Sequence, residues 1–170
     1  MYANVPELLD VWRMAAARRG FDGSVALSAL DRLQGLLIDV EGEVRFALQF
    51  DSDPLLKVPY VELRIQTELP LECQRTLKRF LFPVDMVQRL GLIREEAEES
   101  ALPPDFEALL VPEDGMLRPL EMVEDELVLA VPAVPVDPLS EAVERDWPVP
   151  EEEVAKASPF SALASLKKNN

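Results

Sequence analysis

Three segments of the chain alternate apolar and polar residues with a period of two. In "DVEGEVRFALQF", Val40, Val44, Phe46, Leu48 and Phe50 fall on one side, and Glu41, Glu43, Arg45 and Gln49 on the other. In "VELRIQTEL", Val61, Leu63, Ile65 and Leu69 alternate with Glu62, Arg64, Gln66 and Glu68. In "KRFLFPVDMVQRL", Phe80, Phe82, Val84, Met86 and Leu90 alternate with Arg79, Asp85 and Arg89. Successive strand side chains point to opposite faces, so this pattern requires strands covered on one side and wet on the other. Short spacers between them point to an antiparallel meander. Leu81 and Val87 break the third alternation and predict a strand partly covered on both faces. Pro83 removes a ladder donor and predicts an edge or a bulge there.

Around these strands the periodicity changes to helical. "PELLDVWRMAAARR" predicts a first helix, with Pro6 early, Leu8, Trp12 and Ala15 or Ala16 on one face, and Gly20 as its stop. "FDGSVAL" reads as extended, and "SALDRLQGLL" as a second short helix with Ser28 as N-cap. "REEAEESALPPDFE" carries six carboxylates and one arginine and reads as a surface loop or a frayed helix, "ALLVP" as a short strand and "EDG" as a turn. Leu120, Val123, Leu127 and Ala130 or Val131 share a helical face. Pro119 opens that helix and Val131-Pro132 closes it, leaving Glu121, Glu124, Asp125 and Glu126 on a solvated acidic side. The expected class is α+β: a twisted antiparallel sheet of about four to six strands, flanked by N-terminal helices and one acidic helix. The expected boundaries are one domain over 1–137, an acidic, proline-containing linker over 138–157, and a mobile tail over 158–170. In that tail Phe160, Leu163 and Leu166 form a narrow apolar stripe that either docks a partner or folds back on its own sheet.

Composition then bounds the chemistry. The chain has no histidine and one cysteine, so Ser-His-Asp and Cys-His pairs and a four-ligand Cys/His zinc site are impossible within it. No glycine-rich phosphate loop is present. A carboxylate-dependent hydrolase stays formally open, but the acidic residues fall in runs, the pattern of a solvated surface. The expectation is no catalysis, no cofactor, no metal and no small-molecule substrate. No stretch approaches the ~18–20 apolar residues of a membrane span, and the N-terminus lacks a secretory pattern, so no membrane partner and a cytoplasmic location are expected. A formal charge of −15 repels phosphate and attracts basic partners. Against this acidity stands a basic island, Arg64, Arg75, Lys78, Arg79 and Arg89. Arg75, Lys78 and Arg79 are the candidate RNA contacts. The other reading is that these cations neutralise Glu62, Glu68 and Asp85 across the strand ladder.

The single thiol, Cys73, belongs to a Cys-Gln-Arg-Thr stretch between the second and third strands, at the expected tip of a hairpin. It resembles a two-cysteine knuckle whose second thiol is replaced by Thr76. A structural role, a nucleophile with its pKa depressed by Arg75, Lys78 and Arg79, and a metal ligand shared in a dimer are the three readings. The structural one is favoured, because no base is near in sequence.

"LECQR" at 71–75, "EMVEDELVLAVPAVPVD" at 121–137 and "SPFSALASLKK" at 158–168 resemble, in order and spacing, the bacterial large ribosomal RNA subunit accumulation proteins, the YceD-like family. That resemblance implies a cytoplasmic, non-enzymatic factor that supports accumulation of 23S rRNA and hence assembly of the large ribosomal subunit. In many bacteria the gene of such a protein lies beside that of a small, basic, zinc-binding ribosomal protein of that subunit. Many members carry a second cysteine where this chain has Thr76, so cysteine-pair chemistry is dispensable to the role it would share. Combined with the charge, the expected partner is a basic large-subunit ribosomal protein, contacted through Glu121, Glu124, Asp125 and Glu126 and through Phe160, Leu163 and Leu166. The alternative is direct binding of the 23S rRNA precursor by the basic island.

Overall fold

The computed structural model describes residues 5–140. Its centre is the strand that alternates most regularly, Pro59–Glu72, between Glu43–Ser52 and Arg79–Ile93. In chain order the elements are β1 (Leu9–Asp10), α1 (Val11–Ala16), β2 (Gly20–Ala26), a 3₁₀ turn (Leu27–Ala29), α2 (Asp31–Gln34), β3 (Glu43–Ser52), β4 (Pro59–Glu72), β5 (Arg79–Ile93), a second 3₁₀ turn (Glu96–Ala101), β6 (Glu107–Leu110), β7 (Met116–Leu117) and α3 (Pro119–Ala130). The main sheet has five strands in the order β2-β3-β4-β5-β6, and β1 pairs with β7 in a separate two-stranded ribbon. The fold is α+β as expected. One pairing departs from the antiparallel meander: β6 runs parallel to β5, Leu90–Ile93 against Glu107–Leu110, after the connection through 94–106.

Registers follow the alternation. Phe46 faces Ile65, Leu48 faces Leu63 and Phe50 faces Val61, and Ile65 and Val61 in turn face Met86 and Leu90. This side forms the core with Val11, Leu27, Leu30, Leu33, Met122, Val123 and Leu127 from the helical elements. Each fully buried side chain of the size of Phe50 or Leu63 contributes about 1.5–3 kcal/mol relative to exposure. The other face carries Arg45, Arg64, Gln66, Asp85 and Arg89.

Several local expectations are corrected. The first helix is shorter than Pro6–Arg19. Asp10 caps it, its carboxylate accepting the Arg13 N–H at 2.9 Å, and it ends before Arg18, whose φ of 51° is left-handed. Gly20 therefore opens β2 instead of closing a helix, and Leu8 is exposed. Ser28 lies in the 3₁₀ turn and caps nothing; α2 begins three residues later. Val40 precedes β3 and is exposed. Leu81 and Val87 are on the wet face and exposed, because no described element covers the sheet there. Among the described residues, cover is seen at the two ends of that face. Leu102 packs on Gly91, where a Cβ would come within 2.6 Å of it, and the Ile38 N–H reaches the Pro70 carbonyl at 3.0 Å. Pro83 does lie where β5 is an edge, since β6 reaches only Leu90–Ile93.

Candidate interaction surfaces

The basic island is assembled by the β4–β5 hairpin. Register places Glu62 opposite Arg89, Arg64 opposite Val87 and Glu72 opposite Arg79, so Arg64, Arg79 and Arg89 share the wet face. They do not present free charge. Glu62 accepts from Arg64 at 2.7 Å and from Arg89 at 3.2 Å, and Arg89 also reaches Asp105 at 3.4 Å. Arg79 binds Asp39 at 2.6 Å and Glu41 at 3.6 Å. The Arg64 guanidinium, more than Arg89, holds the Glu62 carboxyl below the usual range, and the Arg79 guanidinium does the same for Asp39. Arg75 donates to the Ser140 carbonyl at 2.9 Å. Lys78 is exposed on the turn. The structure thus supplies counter-charges for Arg64, Arg79 and Arg89, from Glu62 as foreseen and from Asp39, Glu41 and Asp105, which were not. Glu68 and Asp85 pair with none of them, and Arg75 and Lys78 have no carboxylate at ion-pair distance among the described residues.

The acidic residues of α3 are divided among different tasks. Glu121 and Asp125 are exposed, whereas Glu124 and Glu126 are 7% and 8% exposed. Glu124 Oε1 accepts the backbone N–H groups of Arg32 at 2.7 Å and Leu33 at 3.3 Å; its Oε2 takes Arg32 Nε at 3.0 Å. A carboxylate from α3 therefore caps α2, which has no side-chain cap of its own. Asp125 and the Glu121 carbonyl complete the clamp on the Arg32 guanidinium. Glu126 has no hydrogen-bond or ion-pair partner among the described residues; burial, then the charges of Glu107 and Asp125, raise its carboxyl pKa. The expectation of a wholly solvated acidic side is corrected: half of it is built into the fold. Phe160, Leu163 and Leu166 lie outside the described residues.

Cys73 begins the β4–β5 turn and is fully buried. The turn has a twin between β3 and β4. Asp53 N–H donates to Val58 O at 2.8 Å and Lys57 N–H to Asp53 O at 3.0 Å; Cys73 N–H donates to Lys78 O at 2.9 Å and Leu77 N–H to Cys73 O at 2.8 Å. Lys57 and Leu77 both have φ of 57°. In the first turn the Asp53 carboxylate accepts the N–H groups of Leu55 and Leu56 at 2.9 and 2.7 Å. In the second the sulfur of Cys73 takes the place of that carboxylate. The Thr76 hydroxyl and the N–H groups of Asp137, Thr76 and Arg75 favour its thiolate against burial, bringing the pKa down to about 6. The Asp137 N–H reaches Sγ at 3.3 Å, and Gln74 N–H donates to Pro135 O at 2.8 Å, so the chain after α3 seals the turn. The cationic side chains of Arg75, Lys78 and Arg79 do not cause the lowered pKa; neutral dipoles, the Arg75 backbone N–H among them, do.

A third surface was legible only as an acidic run. The turn Glu96–Ala101 and edge strand β6 border a depression of about 540 Å³ lined by Ile93, Glu96, Glu99, Phe106, Glu107 and Leu110.

A family model described as "Large ribosomal RNA subunit accumulation protein YceD" matches residues 61–167, more than half of the chain. The chain belongs to the YceD family. The matched span takes in most of β4, the Cys73 turn, β5, the acidic turn, β6 and α3, and leaves out Arg32, Asp39 and Glu41. A YceD relative from Haemophilus influenzae, carrying the same description, is 29% identical over 168 residues and is covered over 96% of both chains. No solved structure matches the chain.

Proposed function

We propose that this YceD-family chain serves large ribosomal subunit assembly in the cytoplasm, supporting accumulation of 23S rRNA by binding a basic ribosomal protein and not by catalysis. The observation that carries the reading is the pairing of the wet-face arginines. Counterion release from RNA is driven by free cations, and Arg64, Arg79 and Arg89 are already neutralised by Glu62, Asp39, Glu41 and Asp105. Glu96, Glu99 and Glu107 line one depression without a cation at ion-pair distance among the described residues, and grouped acid of this kind steers cationic polypeptides. Among the described residues no three Asp, Glu or Cys side chains are placed to hold a metal ion, which fits a binding role better than metal-assisted hydrolysis. No described helix is long and apolar enough to cross a membrane.

The test is crosslinking of the purified chain to large-subunit precursor particles. Crosslinks from Glu and Asp side chains to lysines of a basic ribosomal protein are expected. Crosslinks chiefly to 23S rRNA, lost when Arg75, Lys78 and Arg79 are replaced together, would transfer the function to the basic island.

A further inference from the structure

The depression beside β6 combines four properties. It is anionic: Glu96, Glu99 and Glu107 line it, and none has a cation within ion-pair distance among the described residues. It is partly apolar: Ile93, Phe106 and the 49%-exposed Leu110 complete its lining. Its wall is the edge strand of the sheet, with β5 as its single strand partner among the described residues. On α3, Glu126 is 8% exposed as a residue, and after burial the charge of Glu107 is what most raises its carboxyl pKa. An incoming positive group beside Glu107 offsets the repulsion between these carboxylates.

We infer that the outer edge of β6 is the docking site for an extended, lysine- and arginine-rich segment of the partner polypeptide, which adds alongside the strand and places its cations on Glu96, Glu99 and Glu107. The assignment rests on the basic-partner reading above and gives it a location. Open strand edges take up extended peptides through main-chain hydrogen bonds, and side-chain pockets set the preference. Lysine and arginine are suited to these pockets twice over: their stems cover Phe106 and Leu110 while their heads reach the carboxylates. Among the described residues the three carboxylates are not placed to share one metal ion. A chain of separate cations at strand spacing meets them instead. RNA is disfavoured at the same place by the charge alone.

The probe is a synthetic peptide of about ten residues that alternates lysine and valine, long enough for a strand, titrated into the full chain and followed by fluorescence anisotropy. Glu96→Gln, Glu99→Gln and Glu107→Gln together should weaken binding at least tenfold without lowering the thermal midpoint, since all three side chains are exposed and their mutual repulsion is removed. Glu68→Gln, Glu72→Gln and Glu113→Gln, equally exposed and elsewhere on the surface, should change it less than twofold. A peptide methylated on alternate backbone nitrogens should bind far more weakly. If both triple variants weaken binding equally, or the methylated peptide binds as well, the β6 site is wrong and only diffuse attraction to basic chains remains. If the full chain ignores the peptide and binds a 23S fragment instead, the basic-partner reading falls along with the site.

Discussion

Removing the Glu124 carboxylate tests whether α3 is acidic for the fold or for a partner. Its Oε1 receives two backbone N–H groups at the start of α2, and its Oε2 receives Arg32 Nε. α2 is only four residues long and has no cap of its own. Loss of an N-cap acceptor costs about 0.5–2 kcal/mol, and charge-assisted hydrogen bonds in a site this buried lie at the upper end. The Arg32 side chain is 54% exposed, so its ion pair adds the smaller share. Glu124→Ala should therefore destabilise by about 2–3 kcal/mol, near 5–10 °C in thermal midpoint for a chain of this size.

Denaturant unfolding followed by circular dichroism gives the number. Arg32→Ala should cost less than half as much, because it leaves both backbone N–H groups capped. The double variant should then fall close to Glu124→Ala alone. A loss below about 0.5 kcal/mol for Glu124→Ala, the level of an ordinary surface change, would refute the capping argument. So would an Arg32→Ala loss as large as that of Glu124→Ala. A Glu124→Ala chain that is fully stable yet no longer binds its partner would return Glu124 to the interface.

Cys73 should titrate as a thiolate with a midpoint of about 6, read from the far-ultraviolet thiolate absorbance against Cys73→Ser; a midpoint near that of a free thiol would show that the turn N–H groups and Thr76 do not hold the sulfur. Because its folded pKa lies below the unfolded one, its stabilising effect is full above the unfolded value and is lost as pH falls through about 6. Glu126 has the opposite sign: its folded pKa is raised, so ionisation opposes folding as pH rises through that value. Glu126→Gln should stabilise the free chain by up to about 1 kcal/mol at neutral pH, and the gain should vanish below the ordinary carboxylate range; a pH-independent difference would exclude desolvation as the cause. Gly115 has φ of +72°, and a Cβ there would meet the Trp12 ring at 2.7 Å, so Gly115→Ala should cost about 2 kcal/mol or more and perturb the Trp12 fluorescence that reports its stacking under Arg94; an unchanged midpoint would show that the loop can yield.

The sheet was legible because one face is buried and the other is not. Val44 to Phe50 and Val61 to Leu69 alternate throughout except at Ala47 and Thr67, and their registers followed. α3 was legible from Pro119 and Pro132. The helices near the N-terminus were misjudged for a physical reason: apolar spacing at Leu8, Trp12 and Ala15 suits a helix, but β1 pairs with β7 first, and that pairing is set by residues over a hundred positions away. The same distance hid the site. Arg32 and Glu124 are 92 positions apart, and no local pattern in either segment announces the other. The neutralisation of Arg64 by Glu62 was visible as same-face neighbours on one strand. The capture of Arg79 by Asp39 was not, because it depends on the loop at 38–41 folding over the end of β4.

Charge in this chain is segregated, and the segregation has a consequence for energetics. Arg18, Arg32, Arg45, Arg64, Arg79, Arg89 and Arg118 are all within ion-pair distance of a carboxylate. Among the described carboxylates without an ion pair, the densest run is Glu95–Glu99, with Glu107 across the same depression, and like charges there oppose one another. Added salt screens that repulsion and strengthens the free chain, while it weakens steering of a cationic partner. A partner's lysines do locally what salt does globally, so binding at β6 and stability of the neighbouring turn and α3 rise together. An acidic surface kept for solubility alone has no reason to bury Glu126 beside Glu107. A surface that meets a cation does, because the cation is then drawn to a place where several described carboxylates lie together without counter-charge.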